Sequence, residues 1–200
     1  MRRNRVRTLA AVGVAGILLA ACGDDDATES ASQTTAAPAS TTTTAAPGAV
    51  ADMADPNGRS MGRITVTESG GRAVVEGRLT GLPPGFHGFH VHAVGKCEPG
   101  PPAFGSAGGH LVVGTQAHPA HAGDQPVVLV LADGTAEVRF ATDRYKLSDL
   151  LTAEGRAMIV HANPDNYGNI PSRYAPQADD TTRATGDAGD RLACGVLKRS

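Results

Sequence analysis

The chain has 200 residues, enough for one domain with appendages, and a formal net charge of −2, which gives no support to a nucleic-acid partner. It has no Trp, little aromatic content, 25 Gly and 13 Pro, a composition that favours short strands and turns over a helical bundle. Three cysteines are an odd number for a secreted protein, and the first is accounted for by the leader.

Residues 1–22 read as a targeting segment rather than as part of the fold. Arg2, Arg3, Arg5 and Arg7 form a positive start, and Leu9 to Ala21 an apolar stretch too short to span a bilayer comfortably. It ends in Leu19-Ala20-Ala21-Cys22, which resembles a bacterial lipobox. The resemblance implies a lipidated Cys22 as the mature N-terminus, and so a protein anchored to the bacterial cell membrane on its extracytoplasmic side. The alternative is an ordinary signal peptide with an incidental Cys. Removing Cys22 from the count leaves Cys97 and Cys194, an even number that suits an oxidising compartment.

Residues 23–58 read as a disordered tether. From Ala27 to Val50 the chain is Thr, Ala, Ser and Pro with one charge, Glu29, and no apolar periodicity. The folded domain is placed at residues 59–200, where fourteen Lys plus Arg balance fourteen Asp plus Glu.

Strand signals then follow in series. Ile64 to Glu68 alternates, Gly70-Gly71 marks a turn, and Ala73 to Leu79 completes a hairpin. Gly88 to Val94 reads as a strand rich in histidine. Side chains alternate along a strand, so His90 and His92 share a face and can grip one metal ion. His87 points the other way. The segment from Lys96 to Asp124 is long and rich in Gly and Pro, and it carries Cys97, His110, His118 and His121. So long an irregular stretch with that many candidate ligands reads as functional. Val127 to Leu131 and Thr135 to Ala141 flank Asp133-Gly134, a second hairpin signal. Leu147 to Glu154 reads as a short helical turn, Arg156 to His161 as a strand, Ala162 to Asp190 as a second long loop and Leu192 to Leu197 as the last strand. This is an all-β pattern: a sandwich or flattened barrel of about eight antiparallel strands with two long loops. All seven histidines lie between His87 and His161, which scatter over a surface would not produce.

Five motifs carry a family resemblance: Gly85 to His92 (GFHGFHVH), Ser106 to His110 (SAGGH), His121 to Asp124 (HAGD), Val160 to Asn166 (VHANPDN) and Gly186 to Val196 (GDAGDRLACGV). In this order, over residues 59–197, the chain resembles copper/zinc superoxide dismutases, a family with a Greek-key β-sandwich. The resemblance implies copper ligands His90, His92, His110 and His161, with His110 bridging to zinc, and zinc ligands His110, His118, His121 and Asp124. It implies a Cys97–Cys194 disulfide, and Arg191 as the residue that holds the superoxide anion beside copper. It also implies Asp165 as a carboxylate behind the metal-ligating histidines. His87 belongs to the pattern as a hydrogen-bonded core residue. Tyr167 and Tyr174 read as loop packing.

The reaction implied is dismutation of superoxide to oxygen and hydrogen peroxide, with copper alternating between oxidation states and His110 passing a proton. The partners expected are the superoxide anion and the membrane lipid, with the protein as monomer or homodimer. A non-catalytic copper- and zinc-binding lipoprotein is the alternative, and Arg191 in its motif argues against it, since storage needs no anion clamp. One departure stands out. His118 and His121 are only three residues apart, closer than the family's usual spacing. Three residues reach at most ~10 Å, and turns bring them nearer, so both rings can still meet one ion. In the loop after His161, Arg173, Asp179 and Asp180 have no clear match to the family's charged guiding residues.

Overall fold

The computed structural model describes residues 47–114 and 116–200. The leader, Cys22 and the tether as far as residue 46 lie outside the described residues. The rest of the expected tether does not behave as one. Gly48–Ala54 forms strand β1, with Ala49, Ala51 and Met53 buried on one face and Asp52 exposed on the other. Residues 48–54, ahead of Arg59, are therefore part of the folded sheet. Small residues alternate here with no β-branched side chain except Val50, so the strand is hard to tell from the Ala-rich run before it.

The strands that follow are β2 (Ser60–Ser69), β3 (Arg72–Thr80), β4 (Gly85–His87), β5 (Phe89–His92), β6 (Val128–Val130), β7 (Thr135–Thr142), β8 (Ala157–His161), β9 (Arg191–Val196) and β10 (Lys198–Arg199). One antiparallel sheet runs β5-β8-β9-β1-β2-β3-β7, with β10 paired to β1, and it curls into a half-barrel. The first hairpin forms as expected: β2 and β3 pair from Gly62↔Leu79 to Ser69↔Arg72. The second does not. The Asp133-Gly134 turn closes, with Leu131 N–H donating to Thr135 O at 2.8 Å. Beyond it the strands part. β6 pairs with β4 in a small separate ladder, and β7 pairs with β3. A turn sets only the local reversal, whereas the ladder goes to whichever edge lets each strand bury its apolar face.

Inside the curl, Ile64, Val66, Val75, Leu79, Phe89, Val91, Met158 and Val160 form one continuous core. Short helices occur at α1 (Leu147–Leu150) and α2 (Asp180–Thr185). α2 lies in the second long loop, where no helix was expected. Asp179 caps it by accepting Thr182 N–H at 2.8 Å, and Asp180 pairs with Arg183. β9 is followed by a further short strand, β10, so Leu197 is not the end of the sheet.

The two faces of β5 and β8 divide the labour. Phe89, Val91, Met158 and Val160 enter the core, while His90, His92 and His161 face outward beneath the first long loop. Phe104 and Ala107 of that loop pack on Ala157, Ile159 and Cys194, and the Cys97–Cys194 disulfide ties loop to β9 with Cα atoms 5.7 Å apart. His87 sits apart from this face, buried, with His161 O and Pro83 O each 2.8 Å from a ring nitrogen. It is the core histidine expected from the sequence.

Candidate metal centre

The loop reaches β5 by backbone pairing. His92 bridges to His110 and His90 to Asp124. Leu111 N–H donates to Val91 O at 2.8 Å, Val91 N–H to Gly123 O at 2.9 Å and Gly123 N–H to Leu111 O at 2.8 Å. Two remote loop segments thus lie against one strand, which sets His110 and Asp124 beside His90 and His92. Position 123 must be glycine, because a Cβ there would collide with the Val91 carbonyl oxygen.

Two clusters of buried ligands result. His90, His92, His110 and His161 form one, and His110, His118, His121 and Asp124 the other. The His110 ring belongs to both, with centroids 3.9 Å from His90, 5.1 Å from His92, 5.7 Å from His118 and 5.5 Å from His121.

Each remaining copper-side ring uses one nitrogen on the protein and keeps the other for a metal. His92 Nδ1–H donates to Gly108 O at 2.9 Å, and His161 Nδ1–H to Gly189 O at 2.9 Å. These carbonyls only accept, so the protons sit on Nδ1 and the Nε2 atoms carry lone pairs. Those two Nε2 atoms face each other at 3.3 Å. Two lone pairs at that distance suit a metal cation held between them. His90 is turned the other way: Nε2–H donates to Asp165 Oδ2 at 2.7 Å, and Nδ1 is buried with no partner.

The zinc-side set passes the same test. His118 Nε2–H donates to Asp165 Oδ1 at 2.8 Å. His118 Nδ1 and His121 Nδ1 lie 3.1 and 3.3 Å from Asp124 Oδ2, yet neither is aligned to hydrogen-bond. Ligand atoms around a tetrahedral zinc at about 2.0–2.2 Å stand roughly 3.3–3.6 Å apart. The three-residue spacing of His118 and His121 is therefore compatible with a closed zinc site, and the donors present fit both metals.

Asp165 joins the two clusters, since it holds His90 of one and His118 of the other. Position 186 must be glycine for this to happen, as a Cβ there would overlap Asp165 and His118. Burial works against charge on Asp165, but the His118 and His90 hydrogen bonds hold its carboxyl well below the usual range. Asp124 is held low in the same way by His110 and His118. Burial lowers His90 to about 4 and His161 to about 3, and it also lowers His92 and His121. These rings are neutral at pH 7, as metal ligands must be. His118 differs: burial opposes its charge, yet the Asp124 and Asp165 carboxylates raise it to about 9.

Arg191, at the start of β9, donates through Nη1 to Phe104 O at 2.5 Å and through Nη2 to Gly108 O at 2.6 Å. It makes no ion pair with Asp187, which instead accepts from Thr182 Oγ1 and Asn166 Nδ2. Phe104 offers its carbonyl from a left-handed backbone, φ 58°. Sequence reasoning had no signal for Phe104. It also had none for Arg144, whose side chain reaches the His118–His121 segment.

A half-barrel of antiparallel strands with a histidine-bridged pair of metal sites on its outer face defines a dinuclear metalloenzyme. The sequence matches the copper/zinc superoxide dismutase (SODC) family over residues 60–197. It is 40% identical over 172 residues to a Cu-Zn superoxide dismutase of Mycobacterium tuberculosis, covering 76% of this chain and 72% of that protein. Identity to the Cu-Zn superoxide dismutase of Deinococcus radiodurans is 32% over 165 residues, or 74% of this chain and 82% of the relative. A double mutant of a SOD-like protein from Bacillus subtilis superposes with a TM-score of 0.60 at 29% identity, over 74% of this chain and 95% of that one. The chain belongs to the copper/zinc superoxide dismutase family, with both metal sites intact, and its activity is the conversion of superoxide to oxygen and hydrogen peroxide. The reading as a non-catalytic metal store is thereby set aside. The disulfide is consistent with an extracytoplasmic location.

Proposed function

We propose that the enzyme dismutes superoxide while tethered to the bacterial membrane through Cys22, with Arg191 binding the anion and His110 handling the proton. The observation that carries the substrate role is the anchoring of Arg191. Two carbonyls hold the guanidinium through two of its five N–H donors, and the rest remain for an anion. A cleft of about 860 Å³, lined by Gly108, Gly109, Gly189, Asp190 and Arg191, gives a small anion access to that donor group. Copper, when bound, supplies the one-electron exchange with superoxide. Arg191 orients the anion by charge-assisted hydrogen bonds and offsets its charge. His110 presents Nδ1 to Asp124 at 2.7 Å, so its Nε2 faces the copper side. That Nε2 is the atom that holds a proton and gives it to the reduced anion. Asp165 keeps His90 and His118 oriented throughout.

Arg191→Ala removes the clamp without touching a metal ligand. Losing about 1.5–3 kcal/mol of charge-assisted bonding slows turnover roughly ten- to a hundredfold. Copper content stays at the wild-type level, and Arg191→Lys recovers part of the rate. Full activity in copper-replete Arg191→Ala protein removes the assignment. For the anchor, Cys22→Ser moves the protein from the detergent-extracted to the soluble fraction, and a variant still found only in detergent extracts speaks against lipidation.

A further inference from the structure

The N–H groups of the segment from His118 to His121 are held locally, Ala120 N–H by Ala117 O at 2.7 Å and His121 N–H by Asp124 Oδ2 at 2.9 Å, but its carbonyls have fewer partners. Its backbone supplies one contact to the carbonyls that matter, Asp124 N–H to His121 O at 3.2 Å, and Pro119 O has no backbone donor among the described residues. On one side His118 N–H donates to Arg183 O, at the end of α2, at 3.0 Å. On the other side stands Arg144, from the connection between β7 and α1. Its Nη1 donates to Pro119 O at 2.8 Å and to His121 O at 3.0 Å. One amino group thus pins the peptide planes on both sides of the Ala120-His121 pair. Those planes set the direction in which the His121 side chain leaves the backbone. A cleft of about 540 Å³ lined by Pro119, Asp124, Arg144 and Tyr167 opens behind the zinc ligands, so the segment lacks a packed backing there.

We propose that Arg144 is a positioning residue for the zinc site, holding the His118–His121 segment so that His121 and His118 converge on Asp124. It touches neither metal nor substrate. Its donors carry charge, and one of them meets Pro119 O, which has no backbone donor among the described residues. His92 and His161 take their orientation from Gly108 and Gly189, which lie outside the Arg144 contacts, so the effect falls on zinc ahead of copper.

The inference rests on the zinc site's being functional. It is tested on the full-length protein by chelator competition for zinc and copper separately, with the visible spectrum of cobalt(II) in the zinc site as a report on ligand geometry. Arg144→Ala weakens zinc about tenfold, as loss of a partner behind a metal ligand does. It also lowers the intensity of the tetrahedral cobalt bands, while copper affinity and the unfolding midpoint of the metal-free protein stay at wild-type values. Arg144→Lys, whose ammonium also offers several N–H donors from one nitrogen on a differently shaped stem, recovers part of the zinc affinity, and it stands in should Arg144→Ala fold poorly. Wild-type zinc affinity and cobalt spectrum in Arg144→Ala overturn the proposal. So does equal loss of zinc and copper with a lowered midpoint, which marks a purely structural role. Wild-type protein that takes up no zinc overturns the zinc reading itself and this inference with it.

Discussion

Asp165→Asn tests how the two metal sites are coupled. The side chain is fully buried and accepts three hydrogen bonds: His90 Nε2–H at 2.7 Å, His118 Nε2–H at 2.8 Å and Tyr167 N–H at 2.7 Å. Asparagine keeps the shape but offers an oxygen on one side and an amide N–H on the other. Both rings present N–H, so one of them must face another donor. It then loses its partner or moves its proton to the nitrogen that binds metal. A buried charge-assisted hydrogen bond is worth about 1.5–3 kcal/mol, which corresponds to roughly ten- to a hundredfold in metal affinity. The structure also says which metal suffers. Oδ1 receives two donors, His118 Nε2–H and Tyr167 N–H, whereas Oδ2 receives only His90 Nε2–H. The amide oxygen therefore takes the Oδ1 place, and the amide N–H faces His90. His90 is the ring that loses its partner, so copper affinity falls roughly ten- to a hundredfold while zinc affinity changes much less. Chelator competition with each metal on the purified protein measures both constants. Unchanged copper affinity refutes the reasoning, and so does a loss of zinc ahead of copper.

The raised value of His118, about 9, gives a proton-linked prediction. This ring is charged at pH 7 in the metal-free protein, whereas His121 is held low and stays neutral. Zinc binding therefore releases about one proton at pH 7, and zinc affinity rises with pH until about 9. Calorimetry in buffers of different ionisation heat counts that proton, and a count near zero rejects the charged state. In the metal-free protein the same group contributes stability that is full below its unfolded value near 6.5 and fades as pH rises through about 9. His90 and His161, lowered to about 4 and 3, act in the opposite sense: their contribution is present above about 6.5 and is lost as pH falls toward those values. Replacing Cys97 and Cys194 together by Ser opens a closed loop spanning 97 residues and lowers stability by about 2–5 kcal/mol in chemical denaturation. A change below ~1 kcal/mol shows that the crosslink does not govern stability.

Much of the site was legible because its chemistry is written locally. Strand parity alone puts His90 and His92 on one face, and the five motifs contain Arg191, Cys194 and every metal ligand except His118. The Gly70-Gly71 hairpin is equally local, since a turn and two alternating strands need no distant partner. Even the glycines of HAGD and GDAGD stand in the motifs, although what they make room for is not visible there.

Tertiary structure decided what depends on remote partners. Strand β1 was hidden because Ala49, Ala51 and Met53 alternate beside an Ala- and Thr-rich run, and only pairing with β2, β9 and β10 makes them a buried face. The second hairpin parted beyond its turn, with β6 pairing to β4 and β7 to β3, a choice of edge that lies outside the local sequence. The choice of nitrogen on each imidazole was set by acceptors far along the chain, Gly108 for His92, Gly189 for His161 and Asp165 for His90. Asp165 and Arg144 reach their partners across 75 and 25 residues, separations at which sequence pattern carries no directional information. Residue type and alternation are short-range properties of the chain, whereas hydrogen bonds between loops exist only once the half-barrel has brought those loops together.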